Sequence, residues 1–196
     1  KLKDKLDWLK KVDSTALQSS LKDLDMAYQK FFKEHSGFPK FKSKKTHKFS
    51  YKSKCVNGNI QYCGKYIKLP KLGKVKTKNK LIPSGRILSA TVSQEPSGKY
   101  YVSLCCTDVE IPQYEKTGSV VGLDLGIKEF CITSNGGMIE DPKYLKKSLD
   151  KLAKLQRELS RKTKGSSNRN KARIKVARLQ EHIANQRKDF FTETIY

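Results

Sequence analysis

The stretch VGLDLGIKEFCITSNGG, Val121 to Gly137, sets one carboxylate, Asp124, in the middle of an apolar run and flanks it with Gly122 and Gly126. A carboxylate carried into a buried strand gives up its hydration, and that free energy has to be recovered from hydrogen bonds or from a cation. The cation reading has a definite chemistry. A hard divalent cation takes several oxygen ligands, which must converge on one place. A single aspartate supplies one ligand of that set. An aspartate that caps its own turn accounts for the same residue with no metal at all.

Positive charge offers a second chemistry. The 196 residues hold 42 Lys plus Arg against 19 Asp plus Glu, a formal charge of +23. A chain so charged repels itself unless a polyanion compensates it, and nucleic acid is the commonest polyanion. A membrane surface would need a basic helix with a strongly apolar opposite face, or a spanning segment. No apolar run approaches the length of a span and no signal peptide is visible, so no membrane partner is expected. The five cysteines, Cys55, Cys63, Cys105, Cys106 and Cys131, are odd in number and none stands in a C-x-x-C pair. That excludes a disulfide framework and a zinc knuckle from the expectation and fits a reducing cytoplasm.

The elements that must position these groups follow from periodicity. Asp13 or Ser14 offers an N-cap, and Leu17, Leu21, Leu24, Tyr28 and Phe31 recur at helical intervals, predicting a helix that ends near Gly37 with Gln18, Ser19, Lys22 and Lys30 on its polar face. GFPKFKSKKTHKFSYKSK, residues 37–54, then interleaves lysines with Phe38, Phe41, Phe49 and Tyr51, a pattern able to neutralise phosphates while rings anchor the segment or stack on bases. Turn residues and short alternating runs between Thr46 and Pro112 predict several strands, among them Arg86 to Ser93 and Lys99 to Asp108, and hence a small antiparallel barrel or sandwich. After Val120 a strand through Asp124, a second from Glu129 to Thr133, the Asn135-Gly136 turn and a third from Gly137 form a meander. Two helices follow, one from about Pro142 to Lys162 with Leu145, Leu149, Leu152 and Leu159 on one face, the other from about Asn168 with Ala172, Val176, Leu179, Ile183 and Phe190. The short KTKGSSNRN join makes them an antiparallel, basic hairpin. Lys1 lies inside an amphipathic pattern, and DFFTETIY ends without a helix terminator, so a piece of a longer chain is expected.

A short strand with a central aspartate, turning into a second antiparallel strand, resembles the opening of ribonuclease H-type folds. It also resembles the D-x-G phosphate turn of the actin and sugar-kinase superfamily, which would require a second glycine-rich phosphate loop and no lysine excess. A wider likeness separates them. STALQSSLKDLDMAYQKFF, GFPKFKSKK, IKLPKLGKVK, PSGKYYVSL, VGLDLGIKEFCITSNGG and LQRELSRKTKGSSNRNKARIKVARLQEHIANQRKDF, in that order, resemble the TnpB (OrfB) family of insertion-sequence transposon proteins, relatives of compact type V CRISPR effectors.

That resemblance implies an α+β chain: an N-terminal helical segment (1–34) of partial recognition helices, a wedge-like antiparallel β-barrel (35–117), and the start of a RuvC-like nuclease domain with its helical hairpin (118–196). It implies an RNA-guided DNA endonuclease whose partners are guide RNA and double-stranded target DNA, in the nucleoid-bearing cytoplasm of a prokaryote. Asp124 falls on the first catalytic, magnesium-binding aspartate. The second and third carboxylates and a four-cysteine zinc ribbon belong beyond residue 196 in the family pattern, and Asp141, Asp150 and Glu158 are not expected to replace them. Lys22, Lys40, Lys42, Lys44, Lys45, Arg157, Arg161, Lys162, Arg169, Arg173 and Arg178 are candidate phosphate contacts; Ser14 and Gln18 are candidates for reading the motif beside the target. The alternative is a catalytically inert nucleic-acid-binding remnant or a repurposed DNA-binding regulator.

Overall fold

The computed structural model describes residues 2–41, 43, 49–78, 84–110, 113, 115 and 117–195. They fall into two compact units, Lys1–Ile111 and Pro112–Tyr196. No helix among the described residues is long and apolar enough to cross a membrane.

The first unit opens with two single-turn helices, α1 (Leu2–Lys5) and α2 (Trp8–Lys11), and the long α3 (Ser14–Glu34). Strands β1 (Phe49–Lys54), β2 (Gln61–Cys63), β3 (Tyr66–Leu69), β4 (Gly73–Lys76), β5 (Arg86–Gln94) and β6 (Tyr100–Thr107) follow. They build two antiparallel three-stranded sheets, ordered β1-β5-β6 and β2-β3-β4. Of the barrel or sandwich that the residues predict, the closed barrel implied by the resemblance is not formed among the described residues. Closure requires neighbouring strands to continue the ladder all the way round with a fixed stagger, and among the described residues β2, β3 and β4, three or four residues each, pair only with one another. Instead, Ile60, with Ile67 and Leu69 of β3, packs against Ala90 of β5 in one buried cluster that Ile87, Val92, Val102 and Leu104 extend.

Helix α3 starts where the sequence placed it, with Asp13 as N-cap, but it buries a different face. Ala16 and Ser19 are buried, whereas Leu21 and Leu24 are 68% and 50% exposed. The reason is local. The first turn is held against β1 by polar contacts, and small side chains permit the close approach that Leu would block. Ser19, expected on the polar face, satisfies its hydroxyl by donating to the Thr15 carbonyl at 2.9 Å. At the far end Phe38 turns back and sets its ring edge-on to Phe31 (5.3 Å) and Tyr28 (5.8 Å). The helix stops at His35, in left-handed conformation, before it reaches Gly37.

The second unit carries the predicted meander, β7 (Leu123–Leu125), β8 (Glu129–Thr133) and β9 (Met138–Glu140), then α4 (Tyr144–Ser160) and α5 (Ser167–Ile195). The three strands are antiparallel in sequence order. The Asn135-Gly136 turn closes on Thr133, whose carbonyl accepts the Gly136 N–H at 2.9 Å, and Gly136 holds φ at +81°, a region that only glycine enters without steric cost. Helices α4 and α5 pack along one another, burying Val176 and Ile183. Phe130 of β8 meets Phe190 and Phe191 of α5 at 5.0 and 5.3 Å.

Candidate nuclease and nucleic-acid-binding sites

Asp124 is the central residue of β7, and its cross-strand partner is Ile132, itself opposite Met138. Gly122 and Gly126 fix the strand at both ends. The Gly122 N–H donates to Ser134 Oγ at 3.0 Å, and its carbonyl accepts the Ser134 N–H at 2.9 Å. A Cβ on Gly126 would lie 2.9 Å from the Glu129 carbonyl oxygen, so a larger residue there would force the turn open.

The setting of Asp124 differs from the one its sequence suggests. All three residues of β7 are exposed, and Leu123 and Leu125 are 66% and 70% open to water. The apolar run is a strand without a covering layer among the described residues. An exposed carboxylate keeps its hydration, so in this chain by itself no cation is needed to explain the residue. Nor do the described residues bring three His, Cys, Asp or Glu side chains within reach of one ion. Magnesium needs several oxygen ligands, and the residues present do not fit a complete site. Asp141 is half-buried and accepts the Lys143 N–H at 2.9 Å, Asp150 is exposed on α4, and Glu158 is half-buried on the same helix.

The candidate nucleic-acid contacts divide into two groups. Ser14, Gln18 and Lys22 are exposed at successive turns of α3, four residues apart, so they line one stripe of the helix. Lys40 is exposed just after Phe38. Lys42, Lys44 and Lys45 lie outside the described residues. In the second unit, Arg157, Arg161 and Lys162 are exposed at the C-terminal end of α4, and Arg173 and Arg178 are exposed on α5. The structure thus gathers one polar stripe on α3 and one cationic cluster at the hairpin tip.

Arg169 has a different occupation. It is half-buried, and its Nη1 donates to the carbonyls of Leu159 at 2.9 Å and Lys162 at 3.0 Å. The Leu159 carbonyl, in the last turn of α4, also accepts the Lys162 N–H at 3.2 Å, so the guanidinium adds a second donor there, reaches the Lys162 carbonyl just past the helix, and compensates the partial negative charge of the helix end. Arg169 locks the hairpin turn.

Sequence reasoning missed the polar hub that seats α3. Asp13 Oδ2 accepts from the Thr15 hydroxyl at 2.5 Å, the Ser53 hydroxyl at 2.6 Å and the Ala16 N–H at 3.1 Å. Thr15 Oγ1 in turn accepts the Lys54 N–H at 3.0 Å. Burial alone would raise the Asp13 pKa, but the hydrogen bonds from Ser53, Thr15 and the backbone favour the ionised form and bring it below the usual aspartate value of 3.8. Burial, and then the negative charge of Asp13, hold the Tyr51 hydroxyl above its usual 10.0. The N-cap pattern at Asp13 was readable; its partner Ser53, 40 residues away, carries no signal of its own.

The family described as "Probable transposase" (OrfB_IS605) matches residues 103–195, from β6 through α5. A protein of Escherichia coli (strain K12) named "Putative RNA-guided DNA endonuclease InsQ" is 38% identical over 184 residues, covering 93% of this chain and 45% of that protein. A Streptomyces pristinaespiralis protein named "Putative RNA-guided DNA endonuclease" is 34% identical over 190 residues, covering 95% of this chain and 46% of that one. The chain spans about half the length of these curated relatives.

Proposed function

From the premise that the chain belongs to the OrfB (TnpB) family of insertion-sequence proteins, we propose that it forms part of an RNA-guided DNA endonuclease, contributing nucleic-acid-binding surfaces and one carboxylate, Asp124, of a RuvC-like centre. The observation that carries this reading is the 38% identity along 93% of the chain to a relative named for that activity. The charge of +23 and the two sets of exposed polar and cationic residues agree with it, because a guide RNA and a DNA duplex are the polyanions such a protein must hold.

Asp124 alone does not make a metal site, so its role is that of one ligand among carboxylates supplied from outside these 196 residues. In such a set Asp124 would be this chain's ligand to magnesium, which would supply charge stabilisation for phosphodiester hydrolysis. Within this chain the work is positional. Gly122 and Ser134 fix the start of β7, Gly126 fixes its end, and pairing with β8 holds the Asp124 backbone in register. The cations at the hairpin tip and on α5 attract the phosphate backbone, and the α3 stripe of Ser14 and Gln18 offers hydrogen-bonding groups to base edges.

The isolation of Asp124 favours a second reading for the chain on its own, a nucleic-acid-binding protein without cleavage. The two are separated by two measurements. The whole protein, loaded with its guide, is expected to cut matched DNA, and Asp124→Ala is expected to abolish cutting while RNA still co-purifies. The 196-residue chain is expected to bind RNA with strong salt dependence and to cut nothing. Undiminished cutting by Asp124→Ala removes Asp124 from the centre, and absence of any salt-dependent RNA binding overturns the reading as a whole.

A further inference from the structure

Phe130, Tyr144, Phe190 and Phe191, from β8, α4 and α5, wall a groove of about 580 Å³ in the second unit. That volume falls in the range of roughly 300–1,000 Å³ typical of ligand pockets. The rings brace one another edge to face, Phe130 against Phe190 and Phe191, and Tyr144 against Phe190 at 6.4 Å. Ile127, Leu145 and Leu149 extend the apolar wall, and Leu145, Leu149 and Phe191 remain 41 to 48% exposed. Lys143, Lys146 and Arg187 line the same groove and are exposed. Against these three cations stands one carboxylate, Asp141, one of whose oxygens is already engaged by the Lys143 N–H.

Rings together with surplus positive charge select a ligand that has a flat apolar face and negative charge on either side of it. A purely apolar ligand would leave the cations unused, and a small anion would leave the rings unused. An unpaired nucleotide satisfies both, with its base stacked on aromatic side chains and its flanking phosphates on Lys or Arg. We infer that this groove takes one unpaired base of a DNA strand, with the adjoining phosphates on Lys143, Lys146 and Arg187. The inference rests on the nuclease reading above, which makes DNA the source: the groove belongs to the unit that carries Asp124. Stacking uses the face that every base presents, so the groove accepts any of the four, and it requires the base to be free of its pairing partner.

The test uses the whole protein that contains these 196 residues and a single-stranded DNA carrying one 5-iododeoxyuridine, irradiated and mapped by peptide mass. Crosslinks are expected at Phe191, Phe190 or Tyr144 and are expected to vanish when the strand is paired with its complement. Phe191→Ala should weaken single-strand binding roughly tenfold, and Arg187→Gln should lower the slope of log affinity against log salt by about 0.7. Circular dichroism establishes that Phe191→Ala folds; if it does not, Arg187→Gln, at an exposed position, carries the affinity test. Crosslinks confined to other residues, with both variants binding as the parent does, overturn the groove and leave the nuclease reading standing. Crosslinks obtained only when an RNA of the same sequence carrying one 5-iodouridine replaces the DNA overturn DNA as the source. Failure to bind either strand overturns both inferences.

Discussion

Strand β3 in the first unit and strand β7 in the second are short, carry an aliphatic residue on either side of one charged residue and pair into antiparallel sheets, yet those aliphatic residues stand in opposite relation to water. Ile67 and Leu69 of β3 are 2% and 3% exposed; every residue of β7 is exposed. Ladder hydrogen bonds make a strand, but burial requires a second layer, and among the described residues β3 has one and β7 does not. β7 is also an edge strand of its sheet, and in isolation such an edge offers unpaired N–H and C=O groups to other chains. The first unit covers the apolar side chains of β3 with its own β5, whereas in the second unit burial is found at Cys131, Val176 and Ile183 and β7 stays open to water among the described residues.

The largest effect should come from the covered side. Ile67→Ala removes a fully buried side chain and leaves a cavity between the two sheets, at an expected cost of about 2–5 kcal/mol in the unfolding free energy of the first unit. Leu125→Ala, on the uncovered strand, should stay within about 0.5 kcal/mol. Chemical denaturation of both variants checks the contrast. Equal losses would mean that β7 is buried in solution and that the comparison is mistaken.

A smaller effect concerns how α3 is seated. Asp13→Ala removes the N-cap together with the acceptor for Ser53 and Thr15, with an expected loss of about 1–2 kcal/mol. Because the folded pKa of Asp13 is lowered below 3.8, its contribution is present above that value and is lost as pH falls through the lowered one. Asp13→Asn should keep much of the cap and remove that acid dependence. Melting temperatures measured across the acid range check both statements, and an Asp13→Asn protein with the same acid profile as the parent would show that another carboxylate governs it.

The same contrast between local and distant determinants explains what the sequence could tell. Helix α3, the meander and the hairpin were legible because capping residues, helical period and the Asn-Gly turn act over a few residues. Asp124 and the cationic residues around the hairpin became candidates through the family likeness rather than through any local pattern. Ser53 was not legible, since nothing near it in the chain marks it as a partner of Asp13. The unclosed barrel and the exposure of β7 were not legible either, because alternation reports which face is apolar and not whether a layer covers it. Leu21 and Leu24 make the same point on α3: helical spacing found an apolar face, and tertiary docking buried Ala16 and Ser19 instead.

Arg169 and Arg173 give the finest form of the comparison, two arginines four positions apart on α5 with the same charge and different occupations. Arg169 donates one hydrogen bond to Leu159 in the last turn of α4 and one to Lys162 in the hairpin turn, whereas Arg173 is exposed. Arg169→Gln should therefore lower hairpin stability by about 1 kcal/mol and leave the salt dependence of RNA binding close to that of the parent. Arg173→Gln should leave stability within about 0.5 kcal/mol and reduce the slope of log affinity against log salt by roughly 0.7 to 0.9, the signature of one lost phosphate contact. Thermal melts and titrations at several salt concentrations read the two effects separately. If the slopes exchange places, Arg169 leaves its carbonyls to meet phosphate, and the hairpin turn must rearrange when nucleic acid binds.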